Sequence, residues 1–557
     1  MSDQRPARGG PRRHSGGTGE GRNPTDPPSG GADRRDAAGR QRHRGGADGS
    51  RARNRSAEAP SRRRREADAA RRTAWRVLRA VSRDDAYANL TLPAEIRRAR
   101  LDRRDAGFAT ELAYGALRGQ GTYDAIIAAC VDRPLKDLDA PVLDALRLGA
   151  HQLLGMRVDA HAAVSETVAL VRGEIGAGPG GFVNAVLRRI SAQDRDAWLA
   201  QLIRERGLTA GSDEELGLRH AHPAWVVRSL KQALRLADRS EELPELLAAD
   251  NAAPEVHLVD LPGAGEDRLT SAVEAGAERS TLLDGAAVFR GGDVGRLPGV
   301  REGELRVQDI GSQWIARALA AARAPEAREP DAAGEHWLDL CAGPGGKAAL
   351  LAALAAQQGA VLLANEPAAH RAELVRRALS PVSDSAWQVR EGDGRGIAKD
   401  PEVRGRIAAR GGFDRILVDA PCTGLGALRR RPEARWRRSP SDLAELTVLQ
   451  EELLDAAAEA LAPGGLLGYA TCSPHMAESV VQVEDLLRRR PDLRLLDVHD
   501  AMRGTGTPEA AQLLTPAPQG ADDGTGGTAG RMVQLWPHVH GTDAMFFALL
   551  HRPAEDA

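Results

Sequence analysis

The stretch from 336 to 472 restricts the fold more than any other part of the chain. Five short apolar runs, HWLDL, VLLANE, WQVREGD, RILVDAP and LLGYATC, each lead into a polar or glycine-bearing turn, and helical stretches such as 441–461 lie between most of them. That alternation, carried from about 305 to 551, is the rhythm of a doubly wound α/β sheet. In such sheets ligands bind outside the carboxyl ends of the strands. The chemically distinctive residues fall there: a glycine loop CAGPGGK, Glu366, Asp393, Cys422 in VDAPCTGLG and Cys472 in GYATCSP.

Upstream the pattern changes. From 67 to 205 the spacing is helical. PVLDALRLGAHQLLGM places Leu143, Leu146, Ala150, Leu153 and Leu154 on one face, and HAAVSETVALVRG repeats this with Val164, Val168 and Val171. GFVNAVLRRI follows a Gly-Pro-Gly-Gly break and is again amphipathic, so an all-helical bundle is expected. Between about 218 and 300, EVHLVDL and AAVFRGG read as strands among helical stretches. The expected organisation is therefore multidomain: a disordered basic tail (1–66), an all-α bundle (67–205), a small α+β linker domain (206–304) and an α/β Rossmann-like domain (305–552). A chain of 557 residues has room for these parts.

Charge is distributed unevenly. Residues 1–65 hold 17 Arg against 7 Asp and Glu, while the whole chain carries a net charge of −2. With almost no large apolar groups the tail cannot bury enough surface to order itself. It reads either as a solubilising segment or as a weak, salt-sensitive contact to RNA phosphates. Lysine occurs only four times, so arginine abundance reflects compositional bias and argues little for nucleic acid by itself. One of those lysines, Lys347, ends the glycine loop. The four cysteines form no CxxC pair, which excludes a closed zinc site and a disulfide framework and fits a reducing cytoplasm. No metal is expected. No apolar run reaches the ~20 residues of a membrane span, and no secretory signal is present at the N-terminus.

The glycine loop fits neither standard phosphate cradle. A P-loop would need a glycine separated from Gly346 by four residues, where Cys341 stands, and a Ser or Thr where Ala348 stands. Gly343, Gly345 and Gly346 still allow close approach of a ligand. Glu366 follows Gly346 by 20 residues, the spacing of a carboxylate that grips ribose hydroxyls. Asp393 ends the third strand, where an adenine amine could be read. Pro344 and the acidic Asp339 make a poor pyrophosphate site. S-adenosylmethionine, with its ribose, adenine and cationic end, fits better, with Asp339 near the positive end.

The cysteines suggest what such a methyl donor would serve. Carbon 5 of cytosine is a weak nucleophile until a thiolate adds at carbon 6 and turns the ring into an enamine. The enzyme must then remove the carbon 5 proton and expel the thiolate. Cys422 and Cys472 at adjacent strand ends, with Asp419, are candidates for that work. Cys130 and Cys341 read as small buried hydrophobes.

The motifs DLCAGPGGK, DAPCTGLGALRRRPEARWRR and YATCSP, flanked by RVQDIGSQ and PHVHGTDAMFFALL, resemble the NOL1/NOP2/Sun family of RNA cytosine-C5 methyltransferases. The helical motifs ELAYGALRGQGTYD, LRLGAHQLLGM, HAAVSETV and GFVNAVLRRI resemble the RNA-binding NusB domain, the fusion found in the bacterial Sun/Fmu type. The resemblance covers roughly 67–551. It implies that Cys472 attacks, that Cys422 assists breakdown of the adduct, and that Asp419 hydrogen-bonds the cytosine edge. It also implies that Cys341, Ala342, Gly343, Pro344, Gly345, Gly346, Lys347, Glu366, Arg371, Asp393 and Asp419 hold the cofactor. Two departures, Ala348 and the MAES segment that keeps Glu478 but lacks a Glu-Asn pair, lie off the reacting atoms. The expected substrate is a cytosine of small-subunit (16S) ribosomal RNA, and the protein is expected to act as a monomer.

RNA contact is expected from Lys347 and from the segment RRRPEARWRR, through Arg429, Arg430, Arg435, Arg437 and Arg438, with Trp436 stacking or packing. Three other readings stand: the same chemistry on transfer RNA, a noncatalytic ribosome-assembly or antitermination factor, and, more distantly, a NAD-dependent enzyme. The helical domain argues against the first. The two cysteines, Asp419 and the glycine loop argue against the second. The absence of a His or Tyr placed near the loop argues against the third.

Overall fold

The computed structural model describes residues 67–263, 267–325, 334–514 and 526–554. The expected basic tail lies outside them. Seven helices begin the described chain: Ala69–Arg83, Ala88–Ala99, Arg103–Arg118, Gln120–Ala129, Ala140–Leu154, Ala160–Glu174 and Gly180–Ile190. Asp68, Asp102 and Asp159 start three of them by accepting a backbone N–H of the first turn. Leu146, Ala150, Val171, Val183 and Leu187 are fully or almost fully buried, while Leu143, Leu153 and Leu154 are half-buried at the edge of the same core.

The helical core does not stop at 205. Helices Arg195–Glu205 and Asp213–His220 add Trp198, Leu199, Leu202 and Leu218 to it. The next two helices, Ala224–Leu236 and Leu243–Ala249, pack instead with Leu425, Leu428 and Trp536 of the C-terminal part. Leu218, past the limit expected at 205, thus shares the helical core, and spacing within one helix does not reveal such contacts.

A small antiparallel sheet follows, built from β1 (Val256–Asp260), β2 (Glu278–Arg279), β3 (Ala286–Phe289) and β4 (Leu305–Val307) in the order β2-β3-β1-β4. β4 pairs with β1, so this small sheet includes Leu305–Val307, just past the limit expected at 304.

The C-terminal sheet has eight strands: β5 (His336–Asp339), β6 (Val361–Glu366), β7 (Trp387–Glu391), β8 (Phe413–Asp419), β9 (Leu461–Thr471), β10 (Arg494–Leu496), β11 (Val533–Gln534) and β12 (Phe546–His551). The order is β10-β12-β9-β8-β5-β6-β7, with β11 paired to β12. β5 to β9 are parallel, and β12 runs antiparallel to β9, β10 and β11. Alternate residues serve opposite faces. Trp337 and Leu417 pack with helices Ile310–Ala321 and Gly346–Gln357. Leu338, Ile416 and Val418 pack on the other side with Leu453, Leu454 and Val483. The chain winds from β5 outward to β7 and then returns to β8 on the other side of β5. The switch point between β5 and β8 is where such a sheet opens a crevice. No helix among the described residues is long and apolar enough to cross a membrane.

Candidate active site

The crevice is floored by the turns that follow β5 and β8. After β5 the loop 341–346 leads into helix Gly346–Gln357. Gly345 has φ +102°, and a Cβ there would lie 2.5 Å from that of Ala378. At Gly343 a Cβ would stand 2.1 Å from the Glu366 Oε2. Arg371 donates to the Gly343 carbonyl at 2.8 Å and lies 3.3 Å from Glu366, so the loop, Glu366 and Arg371 form one unit. Ala342 continues the pattern by donating its N–H to the Asn365 carbonyl at 2.9 Å.

Asp339, Glu366 and Asp419 lie close enough around this loop to act on one another, and Asp393 follows β7. Asp339 is buried; one oxygen accepts from the Cys341 N–H at 3.3 Å and the other has no hydrogen-bond partner. Burial, helped by the charge of Asp419, pushes its carboxyl up to about 7. Glu366 is buried at the end of β6. Asp393 is exposed and ion-paired with Arg395 at 2.6 Å, which holds its carboxyl below the usual range. Asp419 receives the Lys347 ammonium at 2.9 Å. Burial, the largest single influence, would lower the Lys347 ammonium, but the charge and hydrogen bond of Asp419 together with the charges of Cys472 and Asp339 outweigh it and the net shift is upward. A ring of acids with its one lysine already paired is a poor pyrophosphate cradle. The unpartnered Asp339 oxygen and the glycine-lined approach suit a nucleoside with a cationic arm.

Cys422 follows β8 and Cys472 follows β9, and because β8 and β9 are parallel neighbours the sulfurs come within 3.4 Å. The ladder carries on into the loops: Ala420 N–H donates to the Ala470 carbonyl and Gly426 N–H to that of Cys472, both at 2.9 Å. The pair is asymmetric. The hydrogen bond from Cys422 holds the Cys472 thiol below its ordinary value against the opposing effects of burial and Asp419, with Lys347 and Arg431 helping. The same bond, then burial, pushes Cys422 well above its ordinary value. If one sulfur of the pair ionises, these directions favour Cys472, with the Cys422 thiol donating to it, and the thiolate is the nucleophilic form. Burial also raises Cys341 well above the ordinary thiol range, leaving it no nucleophile.

The arginine segment must be corrected. Arg435 is fully buried and donates to the carbonyls of Ala221 and Asp250, each at 3.2 Å, and to the Asn251 side chain at 2.8 Å. Arg437 donates to the carbonyls of Val81, Asp85 and Ala86 at the end of the first helix. Arg429 is buried and donates to the Gly541 carbonyl at 3.0 Å. Arg430 donates twice to the buried Asp543. Trp436 rests on Gly121 of the helical domain. Of the side chains expected to hold RNA, Arg435 and Arg437 instead join the C-terminal part to the helices before it, Arg429 and Arg430 bond within the C-terminal part, and Arg430 and Trp436 stay partly exposed. The physical reason is that three turns of chain meet here and expose free carbonyls that guanidinium groups satisfy. The Arg438 backbone N–H donates to the Ala434 carbonyl at 3.1 Å, and its side chain has no hydrogen-bond or ion-pair partner among the described residues.

Sequence reasoning passed over Arg431, whose charge acts on Cys472 and whose guanidinium stacks 4.8 Å from the centroid of Tyr87. It also passed over Glu433, which accepts from the Ala88 N–H at 3.1 Å. No periodicity marks which arginine of such a turn faces inward, so the sequence held no signal for either.

Residues 329–551 match the protein family described as 16S rRNA methyltransferase RsmB/F, and residues 68–192 match the NusB family. A Mycobacterium tuberculosis protein, named as a methyltransferase without a stated substrate, is 46% identical over 88% of this chain and 98% of its own length. The ribosomal RNA small subunit methyltransferase B of Pseudomonas putida is 34% identical over 82% of this chain and 96% of that enzyme. Among solved structures, that of PH0851 superposes with a TM-score of 0.67 at 20% identity, covering 87% of this chain and 98% of that one. At that identity the likeness is one of fold.

Proposed function

The chain belongs to the RsmB/F family of 16S ribosomal RNA methyltransferases, and from that membership we propose that it methylates carbon 5 of a cytosine in small-subunit ribosomal RNA through a covalent bond between Cys472 and carbon 6. The observation that carries this reading is the pair of sulfurs 3.4 Å apart at the ends of two parallel strands, beside the Lys347–Asp419 pair. One cysteine would serve a simple nucleophile; two in contact suit a reaction that must both make and break a carbon–sulfur bond.

The Cys472 thiolate adds to carbon 6, and the electron pair of the carbon 5–carbon 6 double bond moves toward carbon 5 and the ring nitrogen side. Asp419 hydrogen-bonds the cytosine edge and stabilises its protonated form, while Lys347 holds Asp419 in place. After carbon 5 has gained its methyl group, its proton leaves, the double bond re-forms and the carbon–sulfur bond breaks. Cys422, in contact with that sulfur, assists this elimination. S-adenosylmethionine, when bound, supplies an electrophilic methyl on a positively charged sulfur. Glu366 would hold its ribose, Asp393 its adenine and Asp339 its cationic end, with Cys341, Ala342, Gly343, Pro344, Gly345, Gly346 and Arg371 forming the loop around it.

A stacked cytosine cannot reach sulfurs this deeply set, so the target base is unpaired or flipped out. The helical domain holds neighbouring RNA, a reading supported by its NusB-family match. Small-subunit ribosomal RNA is favoured over transfer RNA by the name that the Pseudomonas putida relative carries. The test is a pair of variants. Cys472→Ala abolishes transfer; Cys422→Ala accumulates a protein–RNA species that survives a denaturing gel. Normal methylation by the first, or free turnover of the second without the slow-migrating species, contradicts the assignment.

A further inference from the structure

Behind the two cysteines lies a carboxylate that the chemistry above does not use. Glu478 is fully buried, and no lysine, arginine or histidine forms an ion pair with it among the described residues. Its charge is carried by uncharged donors alone. Oε1 accepts from the Thr423 N–H at 2.7 Å and from the Gln450 side chain at 3.3 Å. Oε2 accepts from the Ser473 hydroxyl at 2.6 Å and from the Thr423 hydroxyl. Thr423 directly follows Cys422, and Ser473 directly follows Cys472. A single carboxylate therefore bridges the two cysteine turns, one residue from each sulfur-bearing position.

The bridge is itself braced. Gln450 also donates to the Pro421 carbonyl at 2.8 Å, and the Tyr469 hydroxyl donates to the Glu478 carbonyl at 2.8 Å. Burying a carboxylate without a cation costs several kcal/mol unless its lone pairs are filled, and here four donors fill them. An amide of the same shape would avoid that cost, which makes the retained charge the feature to explain.

We propose that Glu478 is a positioning residue that locks the two cysteine turns in register and, by its charge, sets which of the two sulfurs attacks. The proposal rests on the two-cysteine reading above. Its electrostatic half follows from what surrounds each sulfur. Cys422 faces Cys472, the Glu478 carboxylate and the Tyr469 phenol, and the Gly424 backbone N–H opposes them by favouring its thiolate. Cys472 faces Cys422 and Asp419, but also Lys347, Arg430 and Arg431. After the hydrogen bond and burial, the negative charges of Cys472 and Glu478 disfavour a second thiolate at Cys422. The cations stabilise a thiolate at Cys472. An anion behind one sulfur and cations beside the other leave the nucleophile on one side only.

Glu478→Gln tests this with little change of shape, because the Thr423 and Ser473 hydroxyls can rotate to accept from the new amide. The full chain is treated with iodoacetamide across a pH series, without RNA or cofactor, and labelling at each cysteine is followed by mass spectrometry. The wild type is expected to label Cys472 first, with Cys422 lagging. In Glu478→Gln the onset of Cys422 labelling should move to lower pH by about one unit, roughly a tenfold gain in its rate at fixed pH. The turnover number for methyl transfer should fall while the KM for RNA holds. Ser473→Ala, which removes one tether and leaves the charge, should lower turnover without moving the Cys422 onset. Unchanged selectivity and pH profile in Glu478→Gln overturns the proposal, even if the variant is less stable. Should Glu478→Gln not fold, Glu478→Asp keeps the charge and shortens the reach; wild-type turnover in that variant would overturn the positioning role. Because labelling needs no methyl transfer, a wild type that labels selectively but methylates nothing would refute the functional reading and leave the bridge standing.

Discussion

Replacing Arg435 by alanine should weaken the seam between domains and leave RNA binding intact. The guanidinium is fully buried and satisfies two backbone carbonyls and one side-chain amide oxygen. Its removal strands three acceptors at about 1–3 kcal/mol each before relaxation. Water entering the space recovers part of that, so a net loss of about 3–5 kcal/mol is expected, the usual cost of breaking a buried charged network. For a cooperative unit of 150–250 residues each kcal/mol moves the melting temperature by about 2–4 °C, so a drop of roughly 10 °C follows. Calorimetry on the full chain measures this, and fluorescence anisotropy with an RNA fragment at low temperature measures affinity. The account predicts an earlier melt and an unchanged salt dependence of binding. An unchanged melt, with weaker binding and a log–log salt slope flatter by about 0.7–0.9, would refute it and restore Arg435 as a phosphate contact.

Three other outcomes are expected. Arg438→Ala, at an arginine whose side chain has no hydrogen-bond or ion-pair partner among the described residues, should leave the melt unchanged and flatten the salt slope by about one phosphate contact; no change in slope would exclude it from the RNA surface. Gly343→Ala should abolish cofactor binding in equilibrium dialysis with S-adenosylmethionine, since its Cβ would press on Glu366 at 2.1 Å and dislodge the loop; wild-type affinity would show that the loop yields. Asp250 is buried and its carboxyl is pushed up to about 7 by burial, against the pull of Arg435. A folded-state value raised above the unfolded one means that the native protein holds a proton which the unfolded chain has released. The stability this contributes is present below about pH 4 and lost as pH rises toward about 7. The stability of Asp250→Asn relative to wild type should therefore climb across that window; a flat difference would contradict the shift.

How much of this was legible in the sequence varied from site to site. The five strand ends were readable because an apolar run of fixed period followed by a glycine or polar turn has few other structural uses. Parallel pairing of β8 and β9 then brings Cys422 and Cys472 together without further information. The arginine segment was misread because the partners of Arg435 and Arg437 lie some 184 to 356 residues away in the chain, at carbonyls that no side-chain pattern marks. Glu478 could be read as a residue kept, but its task depends on Thr423 and Gln450, 55 and 28 residues distant. Leu218 and β4 pack past the limits expected at 205 and 304 for a related reason: long-range contacts place them, and local spacing is silent on that.

The central claim is that two touching cysteines methylate carbon 5 of a cytosine in small-subunit ribosomal RNA. Its most direct test is transfer of radiolabelled methyl from S-adenosylmethionine to unmodified small-subunit ribosomal RNA, with transfer RNA in parallel, followed by nucleoside analysis. The account predicts label in 5-methylcytidine from the ribosomal RNA alone, and none with Cys472→Ala. Label in another nucleoside, or label that persists in that variant, would contradict it.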